Sequence, residues 1–313
     1  MIIVTGGAGF IGSNIVAGLN ARGVTDILVV DDLTDGRKCL NLADLAFSDY
    51  MEYDELAAQM AAGADLGQVE AIFHQGACSD TTEWDGRYVM ARNFTYSKTL
   101  HAWATARGVA LIYASSASVY GMGPVFTETR SAENPLNMYA FSKYAFDQYV
   151  QAHPASSQVV GLRYFNVYGP REAHKDKMAS VARHFSAQIS EEGACRLFEG
   201  TDGYANGAQE RDFIHVDDVV AVNLWLLDHA DVSGVFNCGT GRAQSFNDVA
   251  DAVIAWHGHG EKHYIEFPAH LAGRYQSYTQ ADMSALRSAG YDAEFLSVEQ
   301  GVPRYLDWLA ARG

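Results

Sequence analysis

The amino-acid sequence predicts an α/β protein built on a doubly wound parallel sheet. Three observations indicate this fold: apolar runs without polar alternation, helical stretches between those runs, and a glycine-rich turn directly after the first run. Strands that are apolar on both faces are typical of a parallel sheet covered by helices on both sides. After about residue 165 the pattern loosens into short helices and polar loops, so we expect a smaller second domain there.

The predicted elements alternate along the first half of the chain. The apolar runs expected to be strands are MIIVTG, DILVVDDL, VEAIFHQGA, GVALIYASSASVYG and QVVGLRYFNVYG. Between them, helical spacing is found in FIGSNIVAGLNARG, RNFTYSKTLHAWATARG and MYAFSKYAFDQYVQAH. The first of these helices is expected to end at Gly23, a residue suited to a C-cap.

Composition limits what the protein is able to bind. The 313 residues carry a formal net charge of −16, and a surface of that sign repels phosphate backbones, so no nucleic-acid partner is expected. No apolar run reaches the roughly 18 residues that span a bilayer, and the chain begins in MIIVTGG without a basic leader. Four scattered cysteines suggest neither a metal site nor disulfides. We expect a cytoplasmic protein that binds no membrane and no metal.

The stretch VTGGAGFIGSN sets Gly6, Gly9 and Gly12 between a strand and a helix. In that context the first glycine allows a tight turn, the second lets a pyrophosphate approach the backbone, and the third lets helix and strand pack closely. Asp31 ends the next strand, where a ribose-binding acid belongs. The sequence therefore predicts a dinucleotide site, against the simpler alternative of a tight turn with no ligand.

Residue chemistry alone leaves the choice between NAD and NADP open. A carboxylate at Asp31 favours the free 2′-hydroxyl of NAD, because it repels a 2′-phosphate. Arg37 and Lys38 follow closely, however, and are able to bind that phosphate unless they belong to a solvated loop.

The stretch MYAFSKYAF sets Tyr139 and Lys143 four residues apart, on one face of a helix. A tyrosine with its ordinary pKa of about 10 is a poor base at neutral pH. A neighbouring ammonium and a positive nicotinamide ring stabilise the phenolate and lower that pKa. Ser116, near the end of the strand in YASSASVYG, is expected to hydrogen-bond the reacting oxygen. An ordinary amphipathic helix is the alternative.

These motifs, together with VVDDL, HQGA, NFTYS, RYFNVYGPR and RDFIHVDDV, resemble the extended short-chain dehydrogenase/reductase family, whose members act on nucleotide sugars. The resemblance covers nearly the whole chain. It implies a Rossmann-like domain of residues 1–165 with a return segment near 211–240, and a smaller C-terminal α/β substrate domain of residues 166–210 and 241–313. The family's 4,6-dehydratases carry an Asp-Glu pair where this chain has Ala117 and Ser118, which disfavours dehydration.

The longer segments GACSDTTEWDG, RYFNVYGPREAHKDKMASVA, LFEG and GRYQSYTQADM are similar to the branch of the family that epimerises ADP-heptoses. The resemblance implies that ADP-D-glycero-D-manno-heptose is the substrate. It implies epimerisation at C6″ through a transient 6″-keto sugar, in the synthesis of lipopolysaccharide inner-core precursors. It also implies bound NADP rather than NAD, and a homo-oligomer, since the similar epimerases are pentamers.

The resemblance assigns catalysis to Ser116, Tyr139, Lys143 and, as a second base, Lys175; a surface lysine or a phosphate contact is the alternative for Lys175. The residues expected around the cofactor are Gly6, Gly9, Phe10, Ile11, Gly12, Asp31, Asp32, Lys38, Gln75, Gly76, Ala77, Cys78, Ser79, Asn93, Lys143, Val167 and Lys175. Those expected around the substrate are Ser116, Asn166, Ser180, His184, Phe198, Glu199, Gly200, Thr201, Arg211 and Tyr275. Arg211 suits the diphosphate, because a guanidinium makes bidentate bonds.

This chain departs from the family pattern at a few positions. Asp32 and Gln75 stand where relatives often have Asn and Glu. Relatives often have a lysine near the position of Tyr53, and the loop from Asp202 to Glu210 is longer than theirs. Two rival interpretations remain. A UDP-hexose 4-epimerase using NAD would share the serine, tyrosine and first lysine but would not need Lys175. A non-catalytic dinucleotide-binding sensor would usually lack the tyrosine or the lysine.

Overall fold

The computed structural model describes residues 1–268 and 276–312. Its strands, β1 to β13 in chain order, are Ile2–Thr5, Ile27–Asp31, Asp49–Glu52, Ala71–His74, Ala110–Ser116, Val159–Tyr164, Asn166–Tyr168, Ala194–Phe198, Glu210–Arg211, Phe213–His215, Gly234–Cys238, Gln244–Ser245 and Glu261–Ile265. Its α-helices, α1 to α10, are Phe10–Ala21, Tyr53–Ala61, Gly86–Met90, Tyr96–Arg107, Met138–Ala152, Val181–Glu192, Val216–Asp228, Phe246–His257, Ser284–Ser288 and Val298–Ala310.

The main sheet has seven strands in the order β3-β2-β1-β4-β5-β6-β11, and each pairs with its neighbours in parallel. Strands β1, β2 and β4 are buried along their whole length, as the continuous apolar runs predict. The order of the strands reverses between β1 and β4. In open α/β sheets, ligands bind outside the carboxyl ends of the strands at such a point.

Helices cover both faces of this sheet. On one face Ile15 of α1, Val219 of α7 and Leu286 of α9 belong to one buried apolar cluster. On the other face Leu56 of α2, Leu100 of α4 and Phe146 belong to a second cluster. The predicted doubly wound α/β sheet is confirmed, because both of its faces carry the apolar contacts of helices.

A second region is built from three short strand pairs, β7 with β10, β9 with β12 and β8 with β13. Helices α6, α8 and α10 join them around a third cluster that contains Phe185, Val253 and Leu306. The run QVVGLRYFNVYG, predicted as one strand, divides at Phe165, whose N–H donates to the carbonyl of Cys238. Strand β11 joins the main sheet, and the exact division of the chain into two domains stays a prediction.

The helix predicted over RNFTYSKTLHAWATARG is not regular. It starts earlier, as α3, and passes through a π-helical turn at Ala91–Thr95 before it continues as α4 and ends at Gly108. Gly108 has the left-handed φ of 69° that suits a glycine C-cap. No helix in the described ranges is long and apolar enough to cross a membrane.

Candidate active site

The glycine-rich turn leaves room for a ligand beside the N-terminus of α1. Gly6 has a φ of 66°, and a Cβ on Gly12 would lie 2.1 Å from the carbonyl oxygen of Gly6, so a side chain at either position is excluded or strained. Helix α1 begins without a side-chain cap on its first N–H groups. These donors, at the positive end of the helix dipole, suit an anionic phosphate.

A cavity of about 400 Å³ lies in front of this turn and brings together most of the residues predicted for the cofactor. Those that line it are Gly6, Gly9, Phe10, Ile11, Gly12, Asp31, Lys38, Gln75, Gly76, Ala77, Ser79 and Lys175. A side cavity of about 180 Å³ shares Gly6, Asp31, Lys38, Gly76 and Ala77 with it and adds Asp32 and Cys78. The glycine cradle, the free helix end and the cavity fit a dinucleotide.

The acid at the end of β2 is held by donors of the chain itself. Asp31 accepts from the Ala8 N–H at 2.8 Å with one oxygen, and from Lys38 Nζ at 2.9 Å and the Asp32 N–H at 2.7 Å with the other. Arg37, the other cation considered for a 2′-phosphate, faces away and donates to Asp35 and Asp176. Lys38 is therefore the cation of this loop that faces the cofactor cavity.

Asn93 lies behind the loop of residues 75–79 and supports it. Its side-chain oxygen accepts from the Cys78 N–H at 2.8 Å, and its amide nitrogen donates to the Cys78 carbonyl and to Ser142 Oγ, each at 2.9 Å. The π-helical turn that contains Asn93 directs this side chain inward. Such turns often occur at functional sites.

Ser116, Tyr139 and Lys143 come together where β5 meets α5. Lys143 is buried, and its Nζ donates to the Ala114 carbonyl at 2.8 Å and lies 6.0 Å from the centre of the Tyr139 ring. Ser116 Oγ accepts a hydrogen bond from Ser118 Oγ at 2.9 Å. The helical spacing therefore places the tyrosine and the lysine on one face, as predicted.

Burial dominates the electrostatics of this group. It raises the pKa of Tyr139 above its ordinary value, and a hydrogen bond with Ser116 opposes that rise. The expected lowering of this pKa is thus not supplied by the chain alone. Burial also lowers the pKa of Lys143 to about 8, with Asp147 acting in the opposite direction.

A buried charged network that the sequence analysis missed lies beneath these residues. Asp147, one turn after Lys143 on α5, accepts from Tyr113 Oη at 3.0 Å, Ser115 Oγ at 2.9 Å and Arg163 Nε at 3.0 Å. Arg163 is fully buried and also pairs with Glu133. These partners lie on β5, on β6 and in the loop before α5, so spacing along the chain gave no signal for the network.

Lys175 lies in a 3-10 segment, Ala173–Met178, that runs beside the cofactor cavity. Burial lowers its pKa, while the nearby carboxylate of Glu172 opposes that change. Its Nζ lies 5.3 Å from the centre of the Phe10 ring. Lys175 lines the cofactor cavity and also a second cavity of about 310 Å³, so it stands where the two meet.

That second cavity contains Asn166, Val167 and Ser180 of the predicted residues. Ser180 caps α6 and donates from Oγ to Glu172 at 2.6 Å. His184 and Phe198 line a further cavity of about 250 Å³ between α6 and β8. The structure therefore distributes the predicted substrate residues over two neighbouring cavities.

The remaining residues predicted for the substrate lie in and beside the loop after β8. The Gly200 N–H donates to Asn206 at 2.9 Å, the Glu199 carbonyl accepts from Gln209, and the Thr201 carbonyl accepts from the Tyr204 N–H. The long loop of residues 202–210 is therefore folded back on this turn. Arg211 Nη1 donates to the Glu210 carbonyl, and its guanidinium lies 5.6 Å from the centre of the Phe246 ring. Tyr275 lies outside the described residues.

Comparisons with known proteins agree with this geometry. The model of the NAD dependent epimerase/dehydratase family matches residues 2–239. The curated ADP-L-glycero-D-manno-heptose-6-epimerase of Alkalilimnicola ehrlichii is 61% identical over 312 residues, 99% of this chain and 98% of that protein. The crystal structure of the Helicobacter pylori ADP-L-glycero-D-manno-heptose-6-epimerase has 30% identity and a TM-score of 0.83, over 99% of this chain and 96% of that chain. The structure of a UDP-glucose 4-epimerase with UDP-glucose from Thermotoga maritima has 28% identity and a TM-score of 0.82, over 99% of both chains.

Proposed function

Because the chain belongs to the NAD-dependent epimerase/dehydratase family, we propose that it converts ADP-D-glycero-D-manno-heptose into ADP-L-glycero-D-manno-heptose. It is an enzyme that epimerises a nucleotide sugar with a nicotinamide dinucleotide. The choice of sugar rests on the likeness, along nearly the whole chain, to a curated epimerase named for that heptose. The product would serve as a precursor of the lipopolysaccharide inner core.

The single structural observation that carries the reaction is the place of Lys175, a half-buried lysine that lines both the cofactor cavity and the adjoining cavity. An epimerase of this kind must protonate and deprotonate the same sugar oxygen in two orientations. A second acid–base group on an element separate from Tyr139 meets that requirement, because it reaches the oxygen from another direction.

A nicotinamide dinucleotide held by the glycine turn and Lys38 would supply hydride transfer, taking a hydride from C6″ and returning it to the opposite face. The chain moves the accompanying proton. Tyr139 takes the proton of the C6″ hydroxyl, with Ser116 hydrogen-bonded to the same oxygen and Lys143 stabilising the phenolate. After the 6″-keto sugar has rotated within the site, Lys175 donates a proton to its oxygen as the hydride returns to C6″. The sugar regains both a hydride and a proton, so no net oxidation occurs. Tyr139 then passes its proton to solvent and Lys175 takes one from solvent, which restores the enzyme for the next turnover.

The environment of Asp31 supports NADP as the cofactor. Both of its carboxylate oxygens already accept from the chain, and one of them accepts from Lys38. A carboxylate occupied in this way is poorly available to the ribose hydroxyls of NAD. The Lys38 ammonium beside it, 22% exposed, is available to a 2′-phosphate. We therefore propose NADP in preference to NAD.

The test is to mix the purified protein, with no cofactor added, with ADP-D-glycero-D-manno-heptose and to follow the two C6″ epimers by NMR. Conversion to a mixture rich in the L-glycero form is expected, and the cofactor released by denaturation should be NADP. UDP-glucose serves as the control sugar. No conversion of the heptose with added NADP or NAD, together with conversion of UDP-glucose to UDP-galactose, would overturn the heptose assignment and favour a 4-epimerase.

A further inference from the structure

Arg92 is a cation at the cofactor site that neither the glycine motif nor the predicted residues include. It lies in the π-helical turn Ala91–Thr95, and its side chain lines the side cavity together with Asp31, Asp32 and Lys38. The same turn directs its neighbour Asn93 beneath the loop of residues 75–79. Two consecutive side chains of this turn therefore contribute to the cofactor site. Arg92 forms part of the cavity wall, and Asn93 supports the loop of residues 75–79.

Two aromatic rings hold the Arg92 guanidinium in place. Its Cζ lies 4.1 Å from the centre of the Tyr53 ring and 5.4 Å from the centre of the Tyr88 ring. Stacking of this kind fixes the plane of a guanidinium while it leaves the N–H edges available. Only Nη1 has a hydrogen-bond acceptor within the described chain, Asp32 Oδ2 at 3.1 Å. The other N–H groups remain able to bind a ligand in the cavity.

The charges around the side cavity are arranged in two pairs. Lys38 contacts Asp31 at 2.9 Å, and Arg92 contacts Asp32 at 3.1 Å. Hydrogen bonds from Thr34, with Arg92 adding to them, lower the pKa of Asp32 to about 2, so this carboxylate is ionised. Each acid is opposed by one cation, and without Arg92 the carboxylate of Asp32 would repel a phosphate in the cavity.

We propose that Arg92, held between Tyr53 and Tyr88, binds the 2′-phosphate of NADP together with Lys38 and so determines the preference for NADP over NAD. The inference rests on the NADP preference proposed above. The geometry favours Arg92 over Arg37, since Arg37 is engaged with Asp35 and Asp176. A planar guanidinium donates two parallel N–H bonds to a phosphate, which a lysine does not.

The experiment measures binding, not turnover. Cofactor is removed from the full-length protein, and NADP, NAD, adenosine 2′,5′-bisphosphate and ADP are titrated by calorimetry against the parent and the variant Arg92→Gln. We expect Arg92→Gln to weaken NADP and the bisphosphate about 10- to 100-fold, as for one lost charge-assisted contact, and NAD and ADP less than about threefold. Arg92→Lys, which keeps the charge but not the planar fork, should fall between the parent and Arg92→Gln.

Arg87→Gln is the matched control, because it removes an exposed arginine from the same helical stretch, outside the side-cavity wall. Circular dichroism establishes that each variant is folded. Equal weakening of the 2′-phosphorylated and unphosphorylated ligands by Arg92→Gln would overturn the inference, because Arg92 would then only pack against the adenosine. No change in either would overturn it too. A parent protein that binds NAD more tightly than NADP would instead contradict the cofactor proposal on which this inference rests. Even then, weakening confined to NADP and the bisphosphate would show that Arg92 contacts the 2′-phosphate.

Discussion

Lys143 and Lys175 are the two lysines of the candidate site, the first buried and the second half-buried, and the protein holds them in different ways. Lys143 belongs to a regular helix and is bound to a carbonyl of the adjacent strand. Lys175 belongs to a short 3-10 segment in which Asp176 has a φ of 47°, and Arg171, just before the segment, has a φ of 71°. Non-glycine residues in that region are strained and persist only where the surroundings hold them.

Contacts between distant parts of the chain hold the Lys175 segment. Arg171 pairs with Asp44 at 2.7 Å, and Asp176 pairs with Arg37 at 2.8 Å. The carboxylate of Glu172, fully buried, accepts from both the N–H and the hydroxyl of Ser180. The segment is thus fastened at one side to residues that follow β2 and at the other to α6. Lys143 is positioned by a regular helix, whereas the short segment of Lys175 depends on contacts with distant parts of the chain.

The largest expected loss of activity comes from a change on helix α5, which carries Tyr139 and Lys143. Tyr139→Phe removes the hydroxyl that takes the substrate proton and should lower kcat about 1,000-fold, within the range of general acid–base catalysis. The measurement is the initial rate of epimer formation by NMR. Tyr144→Phe is the matched control on the same helix, since its ring packs against Phe141 and Arg130 and its hydroxyl donates no hydrogen bond to a described residue. A Tyr139→Phe variant as active as Tyr144→Phe would contradict the role of Tyr139.

Lys175→Met tests whether the segment carries a proton-transfer group. We expect kcat to fall about 100-fold with little change in KM, because the group acts on the reacting oxygen in the transition state. Lys177→Met, on the exposed side of the same segment, should leave both parameters unchanged within about twofold. A rise in KM with kcat preserved would show that Lys175 only contacts a phosphate, and the comparison of the two lysines would then fail.

Lys143→Met should stabilise the cofactor-free protein while it removes activity. The pKa of Lys143 is lowered from 10.5 to about 8, so keeping the amine protonated in the fold costs free energy. The variant should gain about 1–3 kcal/mol in the free energy of unfolding at pH 7, measured by urea denaturation. Methionine is similar in length to lysine and uncharged, so it fills the same space without the cost of burying an ammonium group.

The pH dependence of this gain has a definite sign. Below pH 8 the amine is protonated in both states, so the cost in the parent is complete. Between pH 8 and 10.5 the unfolded chain still binds the proton that the folded one releases, so the stability of the parent rises toward that of the variant. If the difference in the free energy of unfolding between parent and variant does not change over this pH range, the pKa of Lys143 is not lowered in the folded protein.

The smallest effect is expected from Asp176→Asn, which removes one exposed fastening of the Lys175 segment. Because Asp176 and Arg37 are both largely exposed, with 60% and 56% of their side chains accessible, solvent screens the pair. We expect the cofactor to dissociate about two to three times faster, measured by the loss of bound cofactor after dilution. Asp251→Asn removes a comparable exposed pair with Lys262 and should not change that rate. Equal rates in the two variants would mean that this pair does not hold the segment.

The contrast between Lys143 and Lys175 reflects how much of the fold and the site the sequence could predict. The sheet, the glycine turn and the Tyr139–Lys143 pair follow from local periodicity and spacing, and the structure contains each of them. The family and the epimerase activity, expected from the resemblance, are confirmed by the comparisons. The individual roles of the site residues, the oligomer and the cytoplasmic location stay predictions.

What the sequence could not predict depends on contacts between distant residues. Arg163 donates hydrogen bonds to Asp147 and Glu133, which lie 16 and 30 residues away along the chain. No sequence pattern predicts these contacts. Arg92 was missed because the apolar spacing of its helix looks regular, whereas the π-helical turn changes the direction of its side chain. Lys175 was identified by resemblance alone, since tertiary contacts set its position.

Epimerisation in D2O tests the central claim most directly. Starting from unlabelled ADP-D-glycero-D-manno-heptose, we predict an L-glycero product that retains protium at C6″, because that hydrogen leaves and returns as a hydride inside the site. Deuterium at C6″ of the product, rising with conversion, would contradict the claim. It would mean that C6″ exchanges a proton with solvent and that no transient oxidation at this carbon takes place.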